Sequence, residues 1–330
     1  MITAFPWHEP LWHTIHTAYQ KDRLPHALLF CGVQGMGKTA LAQRLAALLL
    51  CETPLADGNP CQQCKACQLR QANNHPDFLE IAPAEAGKQI LIDQIRQLIQ
   101  FCALTSHHGR YQVALIHPAE AMNHNAANSL LKILEEPPAK TVLLLVSHQP
   151  SALMATIRSR CQRVDFSKVN PAVTQQWLSQ QLPNHPAIPL LLNLSAQAPL
   201  TALALAQGDA LNQRQQLLDS LIKLPTGQEE PIKVAELWGQ MEAIQVIHWM
   251  LSWTMDLIRL QLAGQQSPVT NIDKRNALQG LAPTVPLPRL FELLEMEKEA
   301  YQLIKGTSNV KPQGLFESLA ITWGRVRRKE

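Results

Sequence analysis

Apolar residues in the first half of the chain fall in short, nearly unbroken runs, separated by longer stretches with a helical rhythm. The runs at residues 27–31, 78–81, 112–116 and 141–147 read as strands, with a last short one at 163–166. Runs without polar alternation mark strands covered on both faces. Between them, residues 39–50, about 90–103 and 125–136 read as helices; Ala126, Leu130, Ile133 and Leu134 line one face of the last, which Pro137 and Pro138 end. Strands alternating with helices over residues 26–166 predict an α/β domain with a parallel sheet. Ahead of it, Trp7, Trp12, Ile15 and Tyr19 predict a helix that docks on the first strand. His8, His13 and His16 share that stretch, but nothing supplies a second shell for a metal, and packing is their expected role.

Beyond Phe166 the rhythm is helical throughout, so the fold class reads as α/β followed by all-α. Pro171, Pro183, Pro186 and Pro199 break up a small stretch at 167–208. From 209 to 330 a second helical unit carries Val234, Trp238, Ile247, Met250 and Trp253 at core spacing. A final helix follows Lys311-Pro312 and ends in Arg325-Val326-Arg327-Arg328-Lys329-Glu330, where cations suit the negative end of a helix dipole.

Composition narrows the class. With 330 residues the chain exceeds one typical core, and 46% hydrophobic against 17% charged residues describes a globular protein. A net charge of +3 permits a polyanionic partner without requiring one. No apolar run approaches the roughly 18 residues of a membrane span, and the N-terminus lacks the basic and apolar regions of a signal peptide. A soluble cytoplasmic protein with no membrane partner is expected.

Two motifs carry chemistry. Gly32-Val33-Gln34-Gly35-Met36-Gly37-Lys38-Thr39 fits the phosphate-loop pattern G-x-x-x-x-G-K-[ST], between a strand and a helix as that pattern requires. Gly32, Gly35 and Gly37 let the backbone present its N–H groups to an anion; Lys38 would reach the outer phosphates of ATP, and Thr39 would hold magnesium. Cys51, Cys61, Cys64 and Cys67 supply four thiolates at a spacing suited to structural zinc. An iron–sulfur cluster would want a fourth cysteine four residues after the third, where Gln71 stands, and ordinary reduced thiols are the bland alternative. Cys31, Cys102 and Cys161 read as small buried residues.

A phosphate-loop ATPase needs an acidic residue after the strand at 112–116, followed by a glutamate that polarises water. His117 and Pro118 stand there. Imidazole is a poor magnesium ligand and proline has no base, while Glu120 reads as a surface residue of the next turn. The loop is therefore expected to hold a nucleotide, if any, that this chain does not hydrolyse. Arg158 and Arg160 read from composition as solvated loop residues.

The phosphate loop, the cysteine quartet, Ile92-Asp93-Gln94-Ile95-Arg96, the run from Asn125 to Pro138 and Ser159-Arg160-Cys161 together resemble the delta-prime subunits of bacterial DNA polymerase III clamp loaders, within the AAA+ superfamily. The resemblance implies an AAA+ phosphate-loop domain at 1–166 with a zinc insert at 51–67, a helical lid at 167–208 and a helical collar for oligomerisation at 209–330. It implies that Arg160 is an arginine finger offered to ATP on a neighbouring subunit, and that Ser147 lies near a nucleotide-sensing position. Implied partners are tau/gamma and delta subunits, with the sliding clamp and primed DNA reached through the complex. The stretch 191–203 resembles the sensor helix of the lid but lacks its arginine. No catalysis of the chain's own is expected, and polymerase activity would belong to the holoenzyme. Two other readings stand beside this one: an autonomous ATPase resembling tau/gamma, and a zinc-dependent nucleic-acid or adaptor module.

Overall fold

Each of the four apolar runs forms a strand, and all the strand pairs are parallel. The computed structural model describes residues 4–85, 87–104, 106, 110–306 and 310–326. Met1 to Thr3 and the basic tail at 327–330 lie outside the described residues. Strands β1 (Ala27–Cys31), β2 (Phe78–Ile81), β3 (Gln112–Ile116), β4 (Thr141–Ser147) and β5 (Gln162–Asp165) form a five-stranded sheet in the order β2-β3-β4-β1-β5. Ala27 pairs with Leu143 and Cys31 with Ser147, so β1 and β4 run in register at the centre.

Side chains alternate across a strand, which assigns every other residue of β1 to a different layer. Leu28 and Phe30 pack with α1 (Glu9–Gln20) and α2 (Lys38–Leu50), through Trp12, Leu41 and Leu45. After α3 (Lys65–Gln71), the other face is covered by α4 (Ile92–Ala103), α5 (His124–Glu135) and α6 (Ala155–Arg160), where Leu29 meets Ile95, Leu130 and Ile157. Burial on both faces explains why the inner strands β1, β3 and β4 carry no polar alternation, while Glu80 on the edge strand β2 is exposed. Arg158 and Arg160, expected in a loop, instead form the last turn of α6, a helix of six residues. Six residues are too few to leave a periodic signature.

The chain divides into two compact units, one of residues 1–181 with 198–201, the other of 182–197 with 202–330. Helix α7 (Pro171–Gln181) belongs to the first, and α8 (Ile188–Leu194) to the second; α9 (Pro199–Gln207) contributes its first turn to the sheet unit. The second unit continues through α10 (Ala210–Lys223), α11 (Pro231–Gly239), α12 (Ala243–Leu262), α13 (Arg275–Leu281), α14 (Leu287–Lys305) and α15 (Pro312–Gly324). Its core gathers Leu217, Trp238, Trp253, Leu290, Phe316 and Trp323. An α/β unit followed by a helical one is the expected fold class. No single helix among the described residues is long and apolar enough to cross a membrane.

The helical unit also buries charge. Arg214 is 2% exposed and donates from both terminal nitrogens to Asp273, at 2.8 and 3.0 Å, and to Asn271 Oδ1 at 2.7 Å. Asp256, fully buried, accepts from Thr270 N, Asn271 N, Asn271 Nδ2 and Arg259 Nη1. Glu297, also fully buried, accepts from the Thr254 hydroxyl at 2.9 Å, and burial raises its carboxyl to about 8.

Candidate functional site

The phosphate loop joins β1 to α2. Gly35 and Gly37 have φ of +87° and +74°, in the left-handed region where a side chain is costly. Space gives a second reason for glycine there. A Cβ on Gly35 would lie 2.1 Å from Thr201 Oγ1, and one on Gly37 2.8 Å from the Phe5 ring. The loop's carbonyls are answered from within the chain: Trp7 Nε1 donates to Met36 O at 2.9 Å, Leu200 N to Gly35 O at 3.1 Å and Thr201 Oγ1 to Gln34 O at 3.2 Å. His8 Nε2 lies 3.0 Å from Met36 O, a contact that places the ring proton on Nε2. Burial lowers His8 to about 4, so the ring is neutral. His8 thus has the packing role expected of it, whereas His16 stacks between Trp12 and Tyr19.

Lys38 opens α2 and is 2% exposed, with its ammonium donating to Val33 O at 2.6 Å. Burial pushes its pKa down to about 8, against the opposing pull of the Glu120 carboxylate. Thr39 follows in the first helical turn, half-buried. His117, at the position where an acidic residue would hold magnesium, bonds instead to Glu80 Oε1 on β2 at 2.5 Å. That bond, above other influences, holds the Glu80 carboxyl below its usual range.

The expectation that Glu120 is a surface residue needs correction. Ala119 is fully buried in a short turn at Ala119–Ala121, and this draws Glu120 inward to the end of β4. There Oε1 accepts from His148 N at 2.9 Å, while Oε2 is buried and makes no hydrogen bond. The signal available in the sequence was a carboxylate one helical turn beyond the position where the acid is missing. Ser147 is fully buried at the same strand end and accepts from Gln149 N.

Arg160 ends α6 and is half-buried, between Ile157 and Cys161 of the sheet unit's core. Its Nη1 donates to Thr156 O at 3.0 Å and its Nη2 bonds Glu135 Oε1 at 2.6 Å. Glu135 lies inside the run from Asn125 to Pro138, yet the sequence alone gave it no role.

The cysteines come together. All four sulfur atoms lie within 4.8 Å of one another, with Cys51 and Cys64 at 3.9 Å and Cys61 and Cys67 at 4.0 Å. Tetrahedral thiolates about 2.3 Å from zinc stand about 3.8 Å apart, close to the two separations of 3.9 and 4.0 Å, so the donor set suits such an ion. Backbone N–H groups of Cys61, Cys64 and Cys67 point at the sulfurs of Cys51, Cys61 and Cys64. A hydroxyl bond from Thr53, foremost, lowers the half-buried Cys61 thiol to about 6, toward the thiolate a metal requires. The insert is tied to α1 and α2: Trp12 Nε1 donates to Asp57 O, and Arg44 bridges Asn59 and Glu9 while stacking on Trp12. Cys51 follows the last residue of α2, so one helix carries the phosphate loop at its start and a cysteine of the quartet at its end.

The comparisons with known proteins converge on one family. Residues 7–170 match the model described as DNA polymerase III, delta subunit, and residues 208–325 its C-terminal counterpart. The DNA polymerase III subunit delta' of Pseudomonas aeruginosa is 38% identical over 99% of both chains. That of Escherichia coli is 33% identical over 88% of this chain and 86% of its own. The tau subunit of Salmonella typhimurium is 31% identical over 68% of this chain but only 34% of its own length. With identity of that order spanning both compact units, the chain belongs to the delta-prime family of DNA polymerase III subunits.

Proposed function

We propose that this chain is a clamp-loader subunit that hydrolyses no nucleotide itself, lends Arg160 to ATP bound on a neighbouring subunit, and helps load a sliding clamp on primed DNA. The observation that carries this reading is an asymmetry within the sheet unit. His117 replaces the magnesium carboxylate and is engaged by Glu80, and the loop's carbonyls are bonded internally, whereas Arg160 reaches the surface at a helix end. An arginine finger stabilises charge on the transferring phosphoryl group. The partners in this reading are tau/gamma and delta subunits in the cytoplasm, with residues 167–208 as lid and 209–330 as collar. Arg160→Ala in the reconstituted assembly is expected to slow the site it completes by roughly 10³-fold or more, read as clamp- and DNA-stimulated ATP turnover. Unchanged turnover overturns the reading.

Zinc is the ion proposed for the cysteine quartet, with a structural role because four protein thiolates leave no open position. Metal analysis of the purified chain should find zinc in equimolar amount. Iron, or full thiol reactivity with no metal, would contradict it.

A second reading has its own support in Glu120, whose carboxylate acts on Lys38 from within the turn that follows β3. With Thr39 it would let this chain bind ATP with magnesium and turn it over alone, as an autonomous ATPase resembling tau/gamma. Magnesium-dependent turnover by the single chain, abolished by Lys38→Ala, would favour that reading over the first.

A further inference from the structure

The guanidinium of Arg160 is not a free surface charge. Two rigid helix ends bring it to its partner. Glu135 is the last residue of α5, anchored by the buried Ile133 and Leu134 before it, and Arg160 is the last of α6, anchored by Ile157 and Cys161. Both anchors belong to one apolar layer, so their carboxylate and guanidinium meet because the backbone puts them there.

Helix dipoles make the pairing informative. A cation at the end of α6 is favourably placed, but a carboxylate at the end of α5 faces the negative pole of its own helix, at a cost of about 0.3–1 kcal/mol. Local helix preference therefore does not account for Glu135, and the charge of Arg160 offsets that cost. The two bonds at 3.0 and 2.6 Å use the Thr156 carbonyl and one carboxylate oxygen, and they fix both the direction and the plane of the guanidinium. Arginine offers more N–H donors than these two acceptors use, so a fixed guanidinium still has donors for an incoming anion. An unheld arginine would lose on the order of 2 kcal/mol of rotamer freedom when it engages a phosphate; a held one has lost much of it already.

From this geometry, and resting on the reading of Arg160 as a finger, we infer that Glu135 is a positioning residue that presents the Arg160 guanidinium to the phosphoryl group on the adjoining subunit. Its side chains are 35% and 50% exposed for Arg160 and Glu135 respectively, so the pair is a surface ion pair and its effect is modest.

The test uses the full reconstituted assembly. Glu135→Ala should lower kcat for stimulated ATP turnover by about five-fold, the upper range for a surface ion pair, with KM for ATP little changed. Glu135→Gln keeps an acceptor oxygen at the same place and should restore most of the rate. In an Arg160→Ala background, Glu135→Ala should cost nothing further, because the group it positions is gone. A wild-type rate for Glu135→Ala beside a depressed Arg160→Ala overturns the inference and leaves the finger intact. An equal loss in both backgrounds also overturns it, by showing a merely structural role. Should Arg160→Ala itself be without effect, it is the finger that fails.

Discussion

Lys38 and Arg214 are both 2% exposed, yet the protein treats these two buried cations in opposite ways. Arg214 sits among α10 and the segment before α13 with both terminal nitrogens on the Asp273 carboxylate, a third bond to Asn271, and Asp256 behind Asn271. Lys38 has one carbonyl, that of Val33, and a carboxylate at Glu120 whose attraction is outweighed by burial. Burying a charge is tolerable when it is paired with an opposite charge and most of its hydrogen bonds are made. A cation answered by a carboxylate and a second acceptor is scaffold, even with Arg214 Nε itself unbonded, whereas one with a single carbonyl is a place where an anion would gain what the protein withholds. The same contrast separates Arg214 from Arg160, which has spare donors but lies at the surface.

The contrast predicts the largest effect in the helical unit. Asp256→Ala would leave the N–H groups of Thr270 and Asn271 and the Asn271 amide without their acceptor in a fully buried place. Removing one member of such a network costs about 3–5 kcal/mol, read as a lower denaturation midpoint followed by the fluorescence of Trp238 and Trp253, which are buried in the same core. A loss below about 1 kcal/mol, the range of an exposed pair, would mean that the network is not the scaffold it resembles.

How much of this could be read beforehand depended on the distance between the residues involved. The strands at 27–31, 78–81, 112–116 and 141–147 stand where the apolar runs put them, and in the three inner strands burial on both faces leaves a local mark. The last strand ends at Asp165 rather than 166, since the Asp165 carboxylate turns back to accept from Ser167 N and starts a short turn at Phe166–Lys168. The cysteine quartet was legible from spacing alone. The contacts that define the phosphate loop were not: Trp7 and Met36 are 29 residues apart, and Thr201 and Gln34 are 167 apart. No periodicity reports a hydrogen bond across such separations. Glu120 was misread for the same reason, as its inward turn depends on the burial of Ala119 and on a backbone N–H from His148, 28 residues on. Arg214 and Glu135 went unremarked because an isolated charge in a helical pattern looks solvated until its partner is seen.

Lys38→Met offers a smaller effect of opposite sign, and it sharpens the comparison most. The substitution keeps the length of the side chain and removes its charge. Because burial depresses Lys38 to about 8, the folded chain holds its proton less tightly than the unfolded chain, in which lysine titrates near 10.4. Between those values the unfolded state binds more protons, so this group makes wild-type stability rise with pH by up to about 1.4 kcal/mol per unit. At neutral pH, where the buried ammonium is charged in both states, Lys38→Met should therefore be the more stable protein, by about 1–3 kcal/mol. Its advantage should shrink as pH rises through 8 toward 10.5. Denaturation of both proteins at pH 7 and pH 10 isolates the term, because every other titrating group is shared. If Lys38→Met is instead destabilised at pH 7, the ammonium is as well satisfied as the Arg214 guanidinium, and the phosphate loop is scaffold in the same sense.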